Sequence, residues 1–178
     1  MWPFEVAGLR ALRRDLLSRA RGATLEIGMG TGLNFPHYPS GVSLNAIEPD
    51  ASLRAIALKR GAPVVDGDAQ ALTQGDSTQD TVIATFVFCS VPDWKKGLSE
   101  VARVLKPGGS LLMFEHVRPG GILGRVMDAL TPPWTVIAHG CHLDREPQTH
   151  FEPLGFDILE TGTFWLGMGR WWVLRKRI

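Results

Sequence analysis

Cysteine is scarce: only Cys89 and Cys141 stand in a chain of 178 residues. That excludes a disulfide scaffold and points to a reducing compartment, the cytoplasm. Long apolar runs are absent too. None reaches the roughly 18–20 residues that span a bilayer. The first ten residues lack the basic-then-apolar order of a secretory signal. Stable membrane insertion is therefore not expected. Charge of one sign is also missing. The net charge is +1, which gives no electrostatic argument for nucleic acid or for an acidic partner. With no repeat, low-complexity tract or linker, residues 1–178 read as a single domain.

What is present suits a packed core: 44% of residues are hydrophobic and 21% charged. Basic groups gather at the two ends. Residues 1–21 carry five Arg against Glu5 and Asp15, and the last nine residues carry four basic groups and no acid. Residues 4–20, within an N-terminal segment 1–22, read as a helix. Leu9, Leu12 and Leu16 share one face, and Arg10, Arg13 and Arg14 lie largely elsewhere. Such a basic face permits weak peripheral contact with anionic lipid, although helix arginines are usually just solvated.

From there strands and helices alternate. Strands are expected at 23–27, 43–47, 62–65, 80–88 and 110–116. Helices are expected at 50–60, with Asp50 or Ser52 near the cap, and at 93–105, capped by Asp93 and stopped by Pro107-Gly108-Gly109. The stretch 80–88 is β-branched, aromatic and almost wholly apolar, the pattern of a central strand buried on both faces. Repeated strand–helix–strand units imply an α/β fold: a doubly wound, mainly parallel sheet with helices on both faces. Residues 117–143 change texture, rich in Gly, Pro and His, and read as a partly helical cap within a lid segment 117–150. Two late strands, 156–161 and 171–176, close the sheet edge.

Three polar signals follow three successive strands. The first is Glu26 with Gly28, Gly30 and Gly32, spaced Gly-x-Gly-x-Gly directly after a strand. Such glycines let the chain turn tightly and let a ligand lie against the backbone. The spacing is not that of the pyrophosphate-binding dinucleotide turn. An acid two positions before the first glycine suits a ligand with an ammonium group. The second is Glu48, placed to accept from both hydroxyls of a ribose. The third is Asp66-Gly67-Asp68-Ala69, where an acid could take an adenine amino group and the Ala69 amide could face a ring nitrogen. Asp66 and Asp68 compete, and Asp68 is preferred. Open α/β sheets bind ligands at such strand ends.

In this conjunction residues 23–116 resemble the Rossmann-like S-adenosylmethionine (SAM) methyltransferases. The resemblance implies SAM as cofactor and a seven-stranded sheet of order 3-2-1-4-5-7-6 with the last strand antiparallel. It implies Glu26 and the 28–32 turn, Thr31 included, at the methionine end. Glu48 and Pro49 fall at the ribose, Asp68 and Ala69 at the adenine, and Thr85 and Phe86 beside them at the fourth strand. A narrower likeness follows from Phe88-Cys89-Ser90-Val91, from Arg103–Val117 ending in Glu115-His116-Val117, and from Trp134 with Gly140-Cys141-His142-Leu143-Asp144-Arg145-Glu146. Their order resembles the thiol S-methyltransferases of the methyltransferase-like group and their bacterial relatives. The long apolar anchor that precedes the animal members is not seen here.

That likeness implies a small-molecule acceptor, most readily a thiol or sulfide sulfur. A phospholipid amine or a quinone-type ring is the alternative, and a non-catalytic SAM-binding module the rival from another class. Methyl transfer from a sulfonium chiefly requires alignment and exclusion of water. A thiol needs only a modest pKa shift to react at neutral pH. His116 and His142 are the candidates to take or steer its proton, and Cys89 to border the acceptor pocket. His37 and Tyr38 follow the glycine turn near the opening. His139, Cys141, His142 and Asp144 cluster within six residues, but the spacing matches no standard zinc pattern, so no metal is expected. Trp134, Trp165, Trp171 and Trp172 read as core or sheet-edge packing.

Overall fold

The computed structural model describes residues 8–138 and 140–178. The expected helix start at residue 4 and the candidate ligand His139 lie outside the described residues. Seven strands form one sheet: β1 (Ala23–Ile27), β2 (Ser43–Ile47), β3 (Val64–Val65), β4 (Gln79–Thr85), β5 (Leu105–His116), β6 (Phe156–Phe164) and β7 (Gly169–Lys176). Their order is β3-β2-β1-β4-β5-β7-β6. β1 to β5 pair in parallel, while β7 runs antiparallel to both β5 and β6. The sheet order and the antiparallel last strand are those the family resemblance implied.

Among the described residues four α-helices accompany the sheet: α1 (Arg10–Leu17), α2 (Ala51–Lys59), α3 (Trp94–Val104) and α4 (Gly121–Ile137). β4 shows why both faces need cover. Val82 and Ala84 pack with Leu98, Val101 and Val104 of α3, whereas Ile83, pointing the other way, packs with Leu16 and Leu17 of α1. This is the period-2 alternation of a strand buried on both sides. α2 begins where the Asp50 carboxylate accepts from the amides of Ser52 (2.7 Å) and Leu53 (3.0 Å). Asp93 accepts from Lys96 N at 3.0 Å to open α3. Each cap satisfies amides that the first helical turn leaves without partners.

The structure departs from the sequence reading in four places. Arg13 is not on the solvated face of α1: it is 5% exposed. β4 ends at Thr85 rather than 88, because Phe86 adopts φ +57° and turns the chain. β5 begins at Leu105, five residues early, with a register shift opposite Gln79/Thr81. Pro107-Gly108-Gly109 thus lies inside an irregular strand start instead of separating helix from strand. The late strands are longer than expected and are joined by a tight Trp165–Gly167 turn, with Trp165 at φ +49° and Leu166 at +56°. The cap contains α4, which carries Pro132 and Pro133. Among the described residues no helix is long and apolar enough to cross a membrane.

Candidate active site

A cleft of about 460 Å³ opens at the carboxyl ends of β1, β2, β3 and β4. Gly28, Gly30 and Thr31 form one wall, Glu48 and Pro49 the next, Asp68 and Ala69 a third, and Thr85 and Phe86 the floor beside β4. The glycines have different reasons. A side chain at Gly28 (φ +64°) would start 2.7 Å from Val87 Cγ2, so the turn closes against the loop after β4. Gly32 (φ +79°) does not line the cleft. Its left-handed backbone favours glycine, and a Cβ there would sit 3.4 Å from Ala57 of α2. Gly30 faces open space, and its N–H donates to Glu48 Oε2 at 2.8 Å.

Glu48 is 5% exposed, and its other oxygen accepts from Asp50 N at 2.9 Å. Two amides thus fix the carboxylate, while each oxygen keeps a second lone pair for a ligand. The two acids after β3 part company. Asp68 lines the cleft, its carboxyl held below the usual range by the side-chain and backbone N–H groups of Gln70. Asp66 turns outward to Arg54 at 2.8 Å.

Beneath the glycine turn lies a buried polar network. Glu26, 1% exposed, accepts from Asn34 Nδ2 at 2.6 Å and from the Tyr38 hydroxyl at 2.7 Å. Burial pushes its carboxyl up to about 7, against the pull of those two hydrogen bonds. Asn34 Nδ2 also donates to Thr85 Oγ1 at 3.0 Å, and its carbonyl oxygen accepts from Arg13 Nη1. Arg13 reaches the cleft wall, whereas Glu26 stands behind it.

The other side of Phe86 is built differently. Glu115, fully buried, accepts from the amides of Val87 (2.8 Å), Phe88 (2.9 Å) and Cys89 (3.2 Å) and so pins the turn after β4. Arg145 Nη1 donates to the carbonyls of Phe88 and Val91, and His142 N to that of Cys89 at 2.7 Å.

Cys89 Sγ, Cys141 Sγ and a His116 ring nitrogen all lie within 4.8 Å of one another. Cys141 Sγ is 3.3 Å from His116 Nδ1. Cys89 is 2% exposed and its thiol is pushed up by its hydrogen bond to Cys141 and by burial. The Cys141 thiol is pulled down by Cys89 and by His116 beside it. The His116 ring lies 4.6 Å from Phe86, and Trp165 stacks on Phe86 at 5.9 Å. Phe86 therefore borders both the cleft and the cysteine–histidine cluster.

Residues 25–113, half of the chain, match the family described as methyltransferase domain. The chain belongs to the SAM-dependent methyltransferases. It is 36% identical over 159 residues to the thiol S-methyltransferase TMT1B of Rattus norvegicus, covering 83% of this chain. It spans 65% of that relative's length. A phosphatidylethanolamine N-methyltransferase of Cereibacter sphaeroides is 36% identical over 118 residues, 61% of this chain and 58% of that one. Among solved structures, a SAM-dependent methyltransferase of Thermotoga maritima superposes with a TM-score of 0.71 at 22% identity, covering 99% of this chain and 100% of that one. That likeness concerns the fold.

The structure brings most of the sequence-selected residues to one cleft: Gly28, Gly30, Thr31, Glu48, Pro49, Asp68, Ala69, Thr85 and Phe86. Gly32 and Glu26 support it from behind. Cys89 and His116 come together across Phe86, but His142 does not join them. Its ring pairs with Asp144 at 3.2 Å. Sequence reasoning missed Arg13, Asn34 and the part played by Cys141. Arg13 had a signal, standing four residues after Leu9 and three before Leu16, on the apolar face of its helix. Asn34 and Cys141 had none, because their partners are distant in the chain. Trp165, expected only to pack, stacks on Phe86 of the cleft floor. Trp172, fully buried against Phe151 at 5.4 Å, packs as expected.

Proposed function

We propose that this chain transfers the methyl group of SAM to the sulfur of a small thiol. The supporting observation is the reach of the similarity. The thiol S-methyltransferase relative aligns over 83% of this chain, against 61% for the phospholipid methyltransferase. The residues fit the cofactor. Glu48, held by two amides, has lone pairs left for a ribose diol. Asp68 and Ala69 suit the adenine edge, Pro49 the ribose, and Thr85 and Phe86 the floor. The Gly28–Gly32 turn, with Thr31, leaves room at Gly30 for the methionine part. Glu26, once ionised, would supply negative charge behind that turn for an ammonium group, whose own charge favours that ionisation.

SAM, when bound, supplies an electrophilic methyl on a sulfonium that leaves as a neutral thioether. The chain's own residues orient the acceptor, exclude water and handle one proton. Phe86, in ring contact with both His116 and Trp165, which also stack on each other, shapes the border of the space where donor and acceptor must meet. Ala138, next to α4, lines the cleft from the cap side and limits water. His116 stands where it can steer the acceptor's proton, and Cys89 borders the same space. His142 acts through its backbone, holding the Cys89 carbonyl. We further place the chain in the cytoplasm, where its two cysteines stay as free thiols.

The test is methyl transfer from labelled SAM to hydrogen sulfide, methanethiol and several alkyl thiols, beside an amine and a phenol panel. Methylated thiol is the expected product. Turnover of an amine or phenol with none of the thiols overturns the acceptor while leaving the cofactor reading intact. SAM binding without turnover of any acceptor favours the non-catalytic module.

A further inference from the structure

Cys89, His116 and Cys141 come from three separate segments: the turn after β4, the end of β5 and the stretch after α4. Spacing within 139–144 gives no metal pattern, but the fold selects a different set. The three ligand atoms lie within 4.8 Å of one another. In a tetrahedral zinc site, Zn–S of about 2.3 Å and Zn–N of about 2.0 Å put ligand atoms roughly 3.5–3.8 Å apart. Cys141 Sγ and His116 Nδ1 already stand at 3.3 Å. Small side-chain rotations would complete the triangle.

The backbone around it is fixed, as a metal site requires. Cys89 N donates to Glu115 at 3.2 Å, and the Cys89 carbonyl accepts from His142 N at 2.7 Å. Cys141 N donates to Ala138 O at 3.0 Å, and His116 sits in register opposite Gly169. The Trp134 side chain reaches the Cys141 sulfur, the kind of outer hydrogen bond that accompanies metal ligands. Cys89 is the deepest of the three, and His116 is half-buried.

We propose that Cys89, His116 and Cys141 bind one zinc ion, whose fourth position takes the sulfur of the thiol acceptor. This rests on the thiol reading above. Two thiolates and one imidazole suit zinc, and three protein ligands leave one position for a substrate. Phe86 joins the two halves: its ring contacts His116 and also lines the cleft. The step is a proton loss. A zinc–sulfur bond forms, the S–H bond breaks, and the proton passes to solvent water. The sulfur keeps the electron pair that will form its bond to the methyl. With the ion in place, His116 is a ligand through Nδ1, and proton removal needs no protein base.

The experiment is elemental analysis of the full chain expressed with added zinc and purified under argon. About one zinc per chain is expected. Cys89→Ser, Cys141→Ser and His116→Ala should each weaken zinc binding at least about tenfold. Should those variants fail to fold, the wild-type chain loaded with Co²⁺ reads the same site. Tetrahedral ligand-field and thiolate-to-cobalt bands are expected, and methanethiol should shift them. Failure of the wild-type chain to take up stoichiometric zinc or cobalt overturns the proposal, as does a Cys89–Cys141 disulfide in that preparation. Bound cobalt whose bands ignore methanethiol refutes the acceptor role. Thiol methylation that persists at full rate after chelation refutes the zinc proposal alone. Amine methylation without thiol methylation refutes the acceptor reading itself.

Discussion

At the residue scale, Glu48 and Gly30 carry the cofactor assignment, and each can be tested alone. Gly30→Val places a β-branched side chain at φ +58° in the open cradle. SAM binding by calorimetry should vanish while circular dichroism stays native. Glu48→Gln keeps one acceptor oxygen but loses the charge. A drop in SAM affinity of about 10- to 100-fold is expected, the value of a hydrogen bond to a charged group. Unchanged affinity in both variants would remove the site. Glu26 makes a different prediction. Its carboxyl is raised to about 7 by burial, from an ordinary value of about 4.3. Below a pH of about 4.3 the group is protonated in both folded and unfolded chains and contributes no difference. Between that pH and about 7 the folded chain holds a proton that the unfolded chain has released. Stability therefore falls as pH rises through this window. Thermal melts without SAM should show a steeper decline from about pH 5 to about pH 7.5 in the wild type than in Glu26→Gln. Equal slopes would show that the carboxyl ionises freely.

At the element scale, α1 closes one face of the sheet. Leu16 and Leu17 cover Ile83, Leu112 and Phe114. Leu16, 1% exposed, has no room to be replaced by water. Leu16→Ala should cost about 2–5 kcal/mol, read as a lower urea midpoint with an unchanged slope. Arg13 on the same helix shows what periodicity conceals. Its position on the apolar face is legible, but its charge argues for solvent, and its burial goes with partners distant in the chain, Asn34 and the Phe114 ring among them. β4 shows the opposite error. Its apolar run continues to Phe88, so hydrophobicity alone prolongs the strand. The chain leaves the sheet at Phe86 because Glu115, on the neighbouring strand, draws three successive amides out of the ladder.

At the scale of the whole molecule, binding and stability are linked. A ligand at roughly 100 times its dissociation constant stabilises the folded state by ~2.7 kcal/mol. For a domain of this size each kcal/mol raises the melting temperature by roughly 2–4 °C. Saturating SAM should therefore raise it by about 5–11 °C, measured by calorimetric scans, and Gly30→Val should abolish the rise. A rise of the same size in the variant would place the cofactor elsewhere.

The sequence by itself determined the alternation of strands and helices, the glycine turn and the three acidic positions after successive strands. These are local properties: hydrophobic period, turn chemistry and caps act over a few residues. They were enough to select residues that line one cleft, because each strand delivers its own residues to the same sheet edge. Tertiary structure shows what the preference for Asp68 over Asp66 could not: Asp68 lines the cleft, while Asp66 pairs outward with Arg54. It alone brought Cys89, His116 and Cys141 together. Their contacts span 25 residues between Cys141 and His116, and no local period encodes such a distance. That cluster is built by strand pairing and by the return of the cap onto the turn after β4, so it exists only once those segments meet.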